Sequence, residues 1–154
     1  MPKTLPHRDN PKYEYTYDPP LTEMGLHQAK LTGEELASQE ITIAHCYCSP
    51  ALRSIQTADK ILEGMGIKNS VPIRVEIGLY EFLRWQNTVP NKYPFMDLRS
   101  LVAAGYNIDL NYNPLISYEM LRFDENEEAF YQRSYYMTKY ITDSHASDGE
   151  FISI

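Results

Sequence analysis

The stretch CYCSPALRSIQTA, residues 46–58, decides the fold. Its first residues close a β-prone run, TIAHCYC at 42–48, which reads as a short buried strand. Ser49-Pro50 follows, an N-cap residue and then proline at the first helical position. Leu52, Ile55, Ala58, Ile61 and Leu62 then keep helical spacing until Gly64 and Gly66 stop the helix. Ile73-Arg74-Val75 is a second strand. Strand, helix and strand joined by short links make a parallel βαβ unit, so the expected fold is α/β.

Working outward, residues 1–20 read as an irregular lead-in, because Pro2, Pro6, Pro11, Pro19 and Pro20 deny helix and interior strand. Tyr13, Tyr15 and Tyr17 alternate with polar residues, as in a short edge strand. Thr22 is placed to cap a helix whose apolar side is Leu26, Ala29, Leu36 and Ala37, with Gly33 as a close-packing point. Residues 76–93 form a long connection that holds the single tryptophan, Trp85. A helix is expected from Pro94 to Gly105, a loop over 106–121, and a clear helix over 125–142 with Ala129, Phe130, Tyr136, Met137, Tyr140 and Ile141 on its apolar side. The acidic run 124–128 suits that helix start. Residues 151–154 begin a strand. Catalytic groups of parallel α/β sheets sit just beyond the carboxyl ends of strands, which directs attention to residues after 48, 75 and 154.

Size and charge set limits. The chain has 154 residues, room for one domain, and a net charge of −7 from 14 Lys+Arg and 21 Asp+Glu. Such a surface does not suit general nucleic-acid binding, which needs positive charge. No run reaches the roughly 18–20 apolar residues of a membrane span, and the first ten residues lack the apolar core of a secretory leader. Cys46 and Cys48 lie too close together for an ordinary disulfide framework, so free thiols and a cytoplasmic setting are expected.

Two places can carry chemistry. Arg53, early in the helix after the first strand, can turn back over the strand end, where a guanidinium and a positive helix N-terminus would grip phosphate. The bland alternative is a surface arginine paired with an acid on its own helix. In IRVEIGLYEFLRW, residues 73–85, Glu76 and Glu81 flank an apolar stretch just past a strand. A carboxyl held near aromatic groups can serve as a general acid, whereas the pattern alone favours two solvated loop acids. His45 beside Cys46 and Cys48 suggests zinc, but strand alternation turns the histidine away from both thiols, so no metal is expected. His27 reads as a half-exposed helical residue. The tyrosines 131, 135, 136 and 140 read as packing instead of a ligand box.

SPALRSIQTA resembles the Ser-Pro-x-x-Arg-x-x-x-Thr-Ala motif of the histidine phosphatase superfamily, also called phosphoglycerate mutase-like. The resemblance continues, in order, through TYDPPLTEMGLHQAKLTGEEL (16–36), IRVEIGLYEFLRW (73–85), YNIDLNYNPLISY (106–118) and the helix around 131–141. Within the superfamily these stretches are similar to the group of the suppressor of T-cell receptor signalling and ecdysteroid-phosphate phosphatases. The resemblance implies a mostly parallel sheet flanked by helices, and a reaction in which a phosphoryl group passes to a histidine and then to water, with no cofactor. By matching position, Arg53 would be a phosphate-binding arginine and Glu81 the proton donor; Glu76 matches the family segment without an assigned role.

The family nucleophile belongs to an Arg-His-Gly motif after the first strand, and no Arg-His-Gly occurs in these 154 residues. His7-Arg8 is in reversed order among prolines. Ser144-His145-Ala146-Ser147 imitates the words around the second family histidine, but His145 is expected to follow a helix, not a strand. The chain therefore reads as one partial domain over 1–154, truncated at both ends, with severely impaired or no catalysis as it stands. An active phosphatase within a longer form and a non-catalytic phospho-ligand binder or scaffold are the other readings. The substrate class implied is a phosphate ester or a phosphotyrosine protein. A sheet lacking its first strand would give a marginal monomer, or one stabilised by a homodimer or a partner chain that covers the sheet.

Overall fold

The computed structural model describes residues 5–82, 93, 95–122 and 124–147, and the backbone alone of 151–153. The expected βαβ unit is present. Strand β1 (His45–Cys48) leads into helix α3 (Leu52–Gly64) and then strand β2 (Ile73–Val75). The two strands are parallel, with Cys46 opposite Ile73 and Cys48 opposite Val75. Strand β3 (Phe151–Ser153) lies parallel on the other side of β1, pairing His45 with Phe151, so the sheet order is β2-β1-β3. The outer edge of β2 is met by a loop, where Ile73 N donates to Asn107 O at 2.7 Å and Asp109 N to Ile73 O at 2.9 Å.

The core lies between one face of this sheet and α3. Cys46, Cys48, Leu52, Ile55, Ala58 and Ile73 are all buried in it. Helix α2 (Glu23–Ser38) covers the outer side of α3. Thr22 caps it as expected, its hydroxyl accepting from Gly25 N at 3.0 Å. The two helices touch backbone to backbone. A Cβ on Gly33 would sit 2.0 Å from Ile61 O, and one on Gly64 would sit 2.1 Å from Lys30 O. Gly66 ends the α3 segment with φ +74°, a left-handed conformation that favours glycine.

Several expectations are corrected. The lead-in is not irregular throughout: Pro11–Tyr17 is a helix, α1. Proline at the first helical position needs no N–H, and Glu14 accepts from Asn10 N at 2.7 Å to hold the turn. The alternating tyrosines are therefore helical, with Tyr13 and Tyr17 packed edge to face at 4.9 Å. Ser49-Pro50 does not start α3. The helix begins at Leu52 with Ala51 as its cap residue, which offers no side-chain bond. Helix α4 (Leu98–Ala103) starts later than Pro94 because Asp97 caps it, accepting from Ser100 N at 3.0 Å. Helix α5 (Glu127–Ser144) is shifted by two residues, capped by Asn126, which accepts from Ala129 N at 2.8 Å. Its buried residues are Met137 and Ile141 only. Tyr131, Tyr135, Tyr136 and Tyr140 are each more than half exposed, so the expected tyrosine packing is absent: the narrow buried stripe of α5 leaves them outside it. His27 is exposed. Trp85 and Pro94 lie outside the described residues. Among the described residues no helix is long and apolar enough to cross a membrane.

Candidate active site

The carboxyl ends of β1 and β2 are held side by side, Glu76 N donating to Cys48 O at 2.9 Å. Two chain segments leave from here, one into α3 with Arg53, the other toward Glu81.

The start of α3 is fixed from far away in sequence. Asp18, 1% exposed, accepts from Leu52 N at 2.8 Å through Oδ1 and pairs with the buried Arg8 through Oδ2. Gln56 on the same helix accepts from Leu21 N at 2.7 Å. The lead-in is thus bolted to α3. Burial pushes the Asp18 carboxyl up, against the lowering effects of the Leu52 N–H and the Arg8 guanidinium. The first N–H of α3 is already taken by the Asp18 carboxylate, so an anion at this helix end would share it with a negative charge. Asp18 and Arg8 were not visible as site neighbours in the sequence, because no local spacing links them to residue 52.

The second segment is shaped by Glu76. It is completely buried, not a solvated loop acid. Its carboxylate accepts from Gly78 N (2.9 Å), Tyr112 Oη (2.6 Å), Leu115 N (2.7 Å) and Ile116 N (3.3 Å). These bonds bend the chain into the 3-10 turn Ile77–Leu79 and tie it to the 112–116 loop. Arg133 of α5 clamps the exit of that turn. Its Nη1 donates to Gly78 O and Tyr80 O, both at 2.7 Å, and its Nη2 reaches Glu81 O at 3.5 Å. Glu125 holds the same guanidinium bidentately at 2.7 and 2.8 Å. A Cβ on Gly78 would lie 2.5 Å from Met137 Sδ, so any larger residue there requires the Met137 side chain to move. Arg133 too was missed by sequence reasoning; it reads there as an ordinary helical arginine.

The two segments bring Arg53 and Glu81 together. Arg53 is the second residue of α3, and its Nη2 lies 2.8 Å from Glu81 Oε1. The partner is not on its own helix, so the bland pairing does not hold. The side chains are 33% and 47% exposed, and an ion pair so open to water is worth about 0–1 kcal/mol. Tyr80, 2% exposed, stands beside them; burial first, and then the Glu81 charge, push its phenol up. A solvent-accessible guanidinium at a strand end, beside a carboxyl and a tyrosine, can bind a tetrahedral oxyanion and offer it a proton.

The other face of β1 carries a separate network. Tyr47 Oη accepts from Arg74 Nη1 at 2.9 Å and is 2.6 Å from His145 Nε2. His145 follows α5, as expected, but it is buried and stacks on His45 with ring centroids 4.0 Å apart. His45 and the two thiols therefore point to opposite sides of the strand. Burial pushes the Cys46 thiol up to about 12 and Cys48 well above its ordinary range. His7 lines a cavity of about 530 Å³ on the flank of α3 with Asp59, Lys68 and Tyr106; neither Arg53 nor Glu81 lines it.

Residues 6–148 match the model of the histidine phosphatase superfamily (branch 1). The chain belongs to this superfamily. Over its full length it is 38% identical to the mouse ubiquitin-associated and SH3 domain-containing protein B, of which it spans 24%. It is 40% identical over 133 residues to the ecdysteroid-phosphate phosphatase of Bombyx mori, covering 86% of this chain and 20% of that protein. The chain thus spans about a quarter or less of these curated relatives. The crystal structure of the ecdysone phosphate phosphatase from Bombyx mori in complex with tungstate superposes with a TM-score of 0.87 at 35% identity, covering 99% of this chain and 57% of that one. The parallel sheet and its helices have the phosphoglycerate mutase-like fold of this superfamily member.

Proposed function

We propose that this chain binds the phosphoryl group of a phosphate monoester at the carboxyl ends of β1 and β2, with Arg53 as phosphate ligand and Glu81 as the acid for the leaving oxygen. The observation that carries this reading is the meeting of Arg53 and Glu81 at 2.8 Å, on a site open to solvent. Two further facts support it. Similar proteins are phosphatases of ecdysteroid phosphates by name, and one was crystallised with tungstate, a tetrahedral oxyanion like phosphate. The ester is a phosphotyrosine protein or a small alcohol phosphate, and the setting is cytosolic.

As a 154-residue polypeptide, the chain is proposed to turn over poorly or not at all. It has no Arg-His-Gly, and His145 is engaged by Tyr47 under α5. Loss of a nucleophile from such a unit costs on the order of a million-fold in turnover. p-Nitrophenyl phosphate hydrolysis tests this: the expected rate is indistinguishable from buffer. Turnover near 1 s⁻¹ or faster, abolished by Arg53→Ala, overturns it. A phosphohistidine trapped on the chain by acid-free quench would do the same. The phosphate-binding part is tested by tungstate titration. Binding weakened at least about tenfold by Arg53→Ala is expected; an unchanged affinity removes Arg53 from the site. A second reading is favoured by the coverage of 57% of the superposed phosphatase chain: within a longer polypeptide that supplies the histidines, the same pocket would serve an active phosphatase.

A further inference from the structure

We propose that an oxyanion entering at Arg53 takes up a proton at Glu81, so that binding itself loads the acid. The inference rests on the phosphate-site reading above and adds a mechanism to it.

Arg53 already has a carboxylate partner, because Glu81 Oε1 lies 2.8 Å from Nη2. A dianion and the Glu81 carboxylate therefore compete for one guanidinium. If both stayed charged, three negative charges would face one positive charge. Among the described residues, Arg53 is the one cation paired with the Glu81 carboxylate. Arg133 approaches from α5, but its guanidinium is held bidentately by Glu125 and spends its remaining N–H groups on the carbonyls of Gly78, Tyr80 and Glu81. From the lead-in, Asp18 adds a carboxylate near Arg53, with Arg8 as its own partner. From the same segment as Glu81, the buried Tyr80 hydroxyl offers a hydrogen bond and no charge.

Nor can Glu81 leave by a swing of its backbone. The carbonyls before it are pinned by Arg133, and the turn that leads to it is pinned by Glu76. With its backbone held, the carboxyl moves only by side-chain rotation, and close to the arriving anion a like charge favours its neutral form. The exchange balances: the Arg53–Glu81 contact breaks, the Arg53–oxyanion contact forms, and one proton passes from solvent to a Glu81 oxygen. An acid so loaded sits beside the ester oxygen that would need it.

The test is calorimetric titration of the folded chain with dilute sodium tungstate, between about pH 6.5 and 8, in buffers of low and high ionisation enthalpy. Wild type is expected to take up more than about half a proton per tungstate at the acid end, and to bind roughly three- to tenfold more tightly there than at the alkaline end. Glu81→Gln is expected to take up less than about a tenth of a proton and to bind at least about threefold more tightly than wild type at the alkaline end. Two results overturn the coupling while leaving the pocket: wild-type binding with no uptake and no pH dependence, or equal uptake in Glu81→Gln, which would place the proton on another group. No tungstate binding by folded wild type overturns the phosphate-site reading, and the coupling with it.

Discussion

Glu76 and Glu81 leave the same strand end in opposite states. Glu76 is fully enclosed and accepts four hydrogen bonds; Glu81 is half exposed and meets one guanidinium. Hydrogen bonds to a charged acceptor are worth about 1.5–3 kcal/mol each, and a buried donor left unpaired costs about 1–3 kcal/mol. Glu76→Ala should therefore destabilise the fold by about 3–5 kcal/mol in urea unfolding, while Glu81→Ala should change it by less than about 1 kcal/mol. Equal effects would refute this division of labour. The thiols give a second prediction. Buried Cys46, at about 12, and Cys48, well above its ordinary range, remain protonated at neutral pH in the native state. Since the thiolate is the nucleophile, neither should react with a disulfide reagent at about pH 8 until the chain is unfolded. The linkage has a definite sign. A folded value raised above the unfolded one, about 8.5, adds stability that is complete below about pH 8.5 and is lost as pH rises toward 12, so alkaline unfolding is expected in that window.

Among the elements, the contact of α2 with α3 depends on two glycines. Gly33→Ala would drive a methyl group into the Ile61 carbonyl, backbone against backbone, and should cost about 3 kcal/mol or more. Gly25→Ala on the same helix meets only ordinary contacts from 3.4 Å outward and should be neutral or stabilising by up to about 1 kcal/mol. Thermal or urea unfolding of the pair checks both signs. What was legible in the sequence divides at this scale. The periodicity of residues 52–62 and the short β-prone runs gave α3, β1 and β2, because apolar spacing is local information. The family resemblance pointed to Arg53 and Glu81, and the geometry brings their side chains to 2.8 Å. Helix α1 was hidden because proline is read first as a breaker, although it is well suited to a first turn. The true cap of α3 was hidden because Asp18 comes from another part of the chain. Arg133 and the burial of Glu76 were hidden for the same reason: both depend on tertiary contacts between the 78–81 segment, the 112–116 loop and α5.

The whole molecule is organised around β1, which has a parallel neighbour on each side. A loop bonds to the outer side of β2, whereas β3 forms the other edge of the sheet among the described residues. An open edge strand is a surface for pairing with another chain. The 154-residue chain is therefore expected to unfold below about 55 °C, with a midpoint that rises with protein concentration. A sharp transition above that temperature, independent of concentration, would show that the domain needs no covering partner. Glu76 has a consequence at this scale too. One carboxylate holds the amides of Gly78, Leu115 and Ile116, which come from two remote stretches of polypeptide. In heavy water these three protons should be replaced in step, as a single reporter of when the pocket wall comes apart, while the amides along the middle of α2 keep their own slower clock.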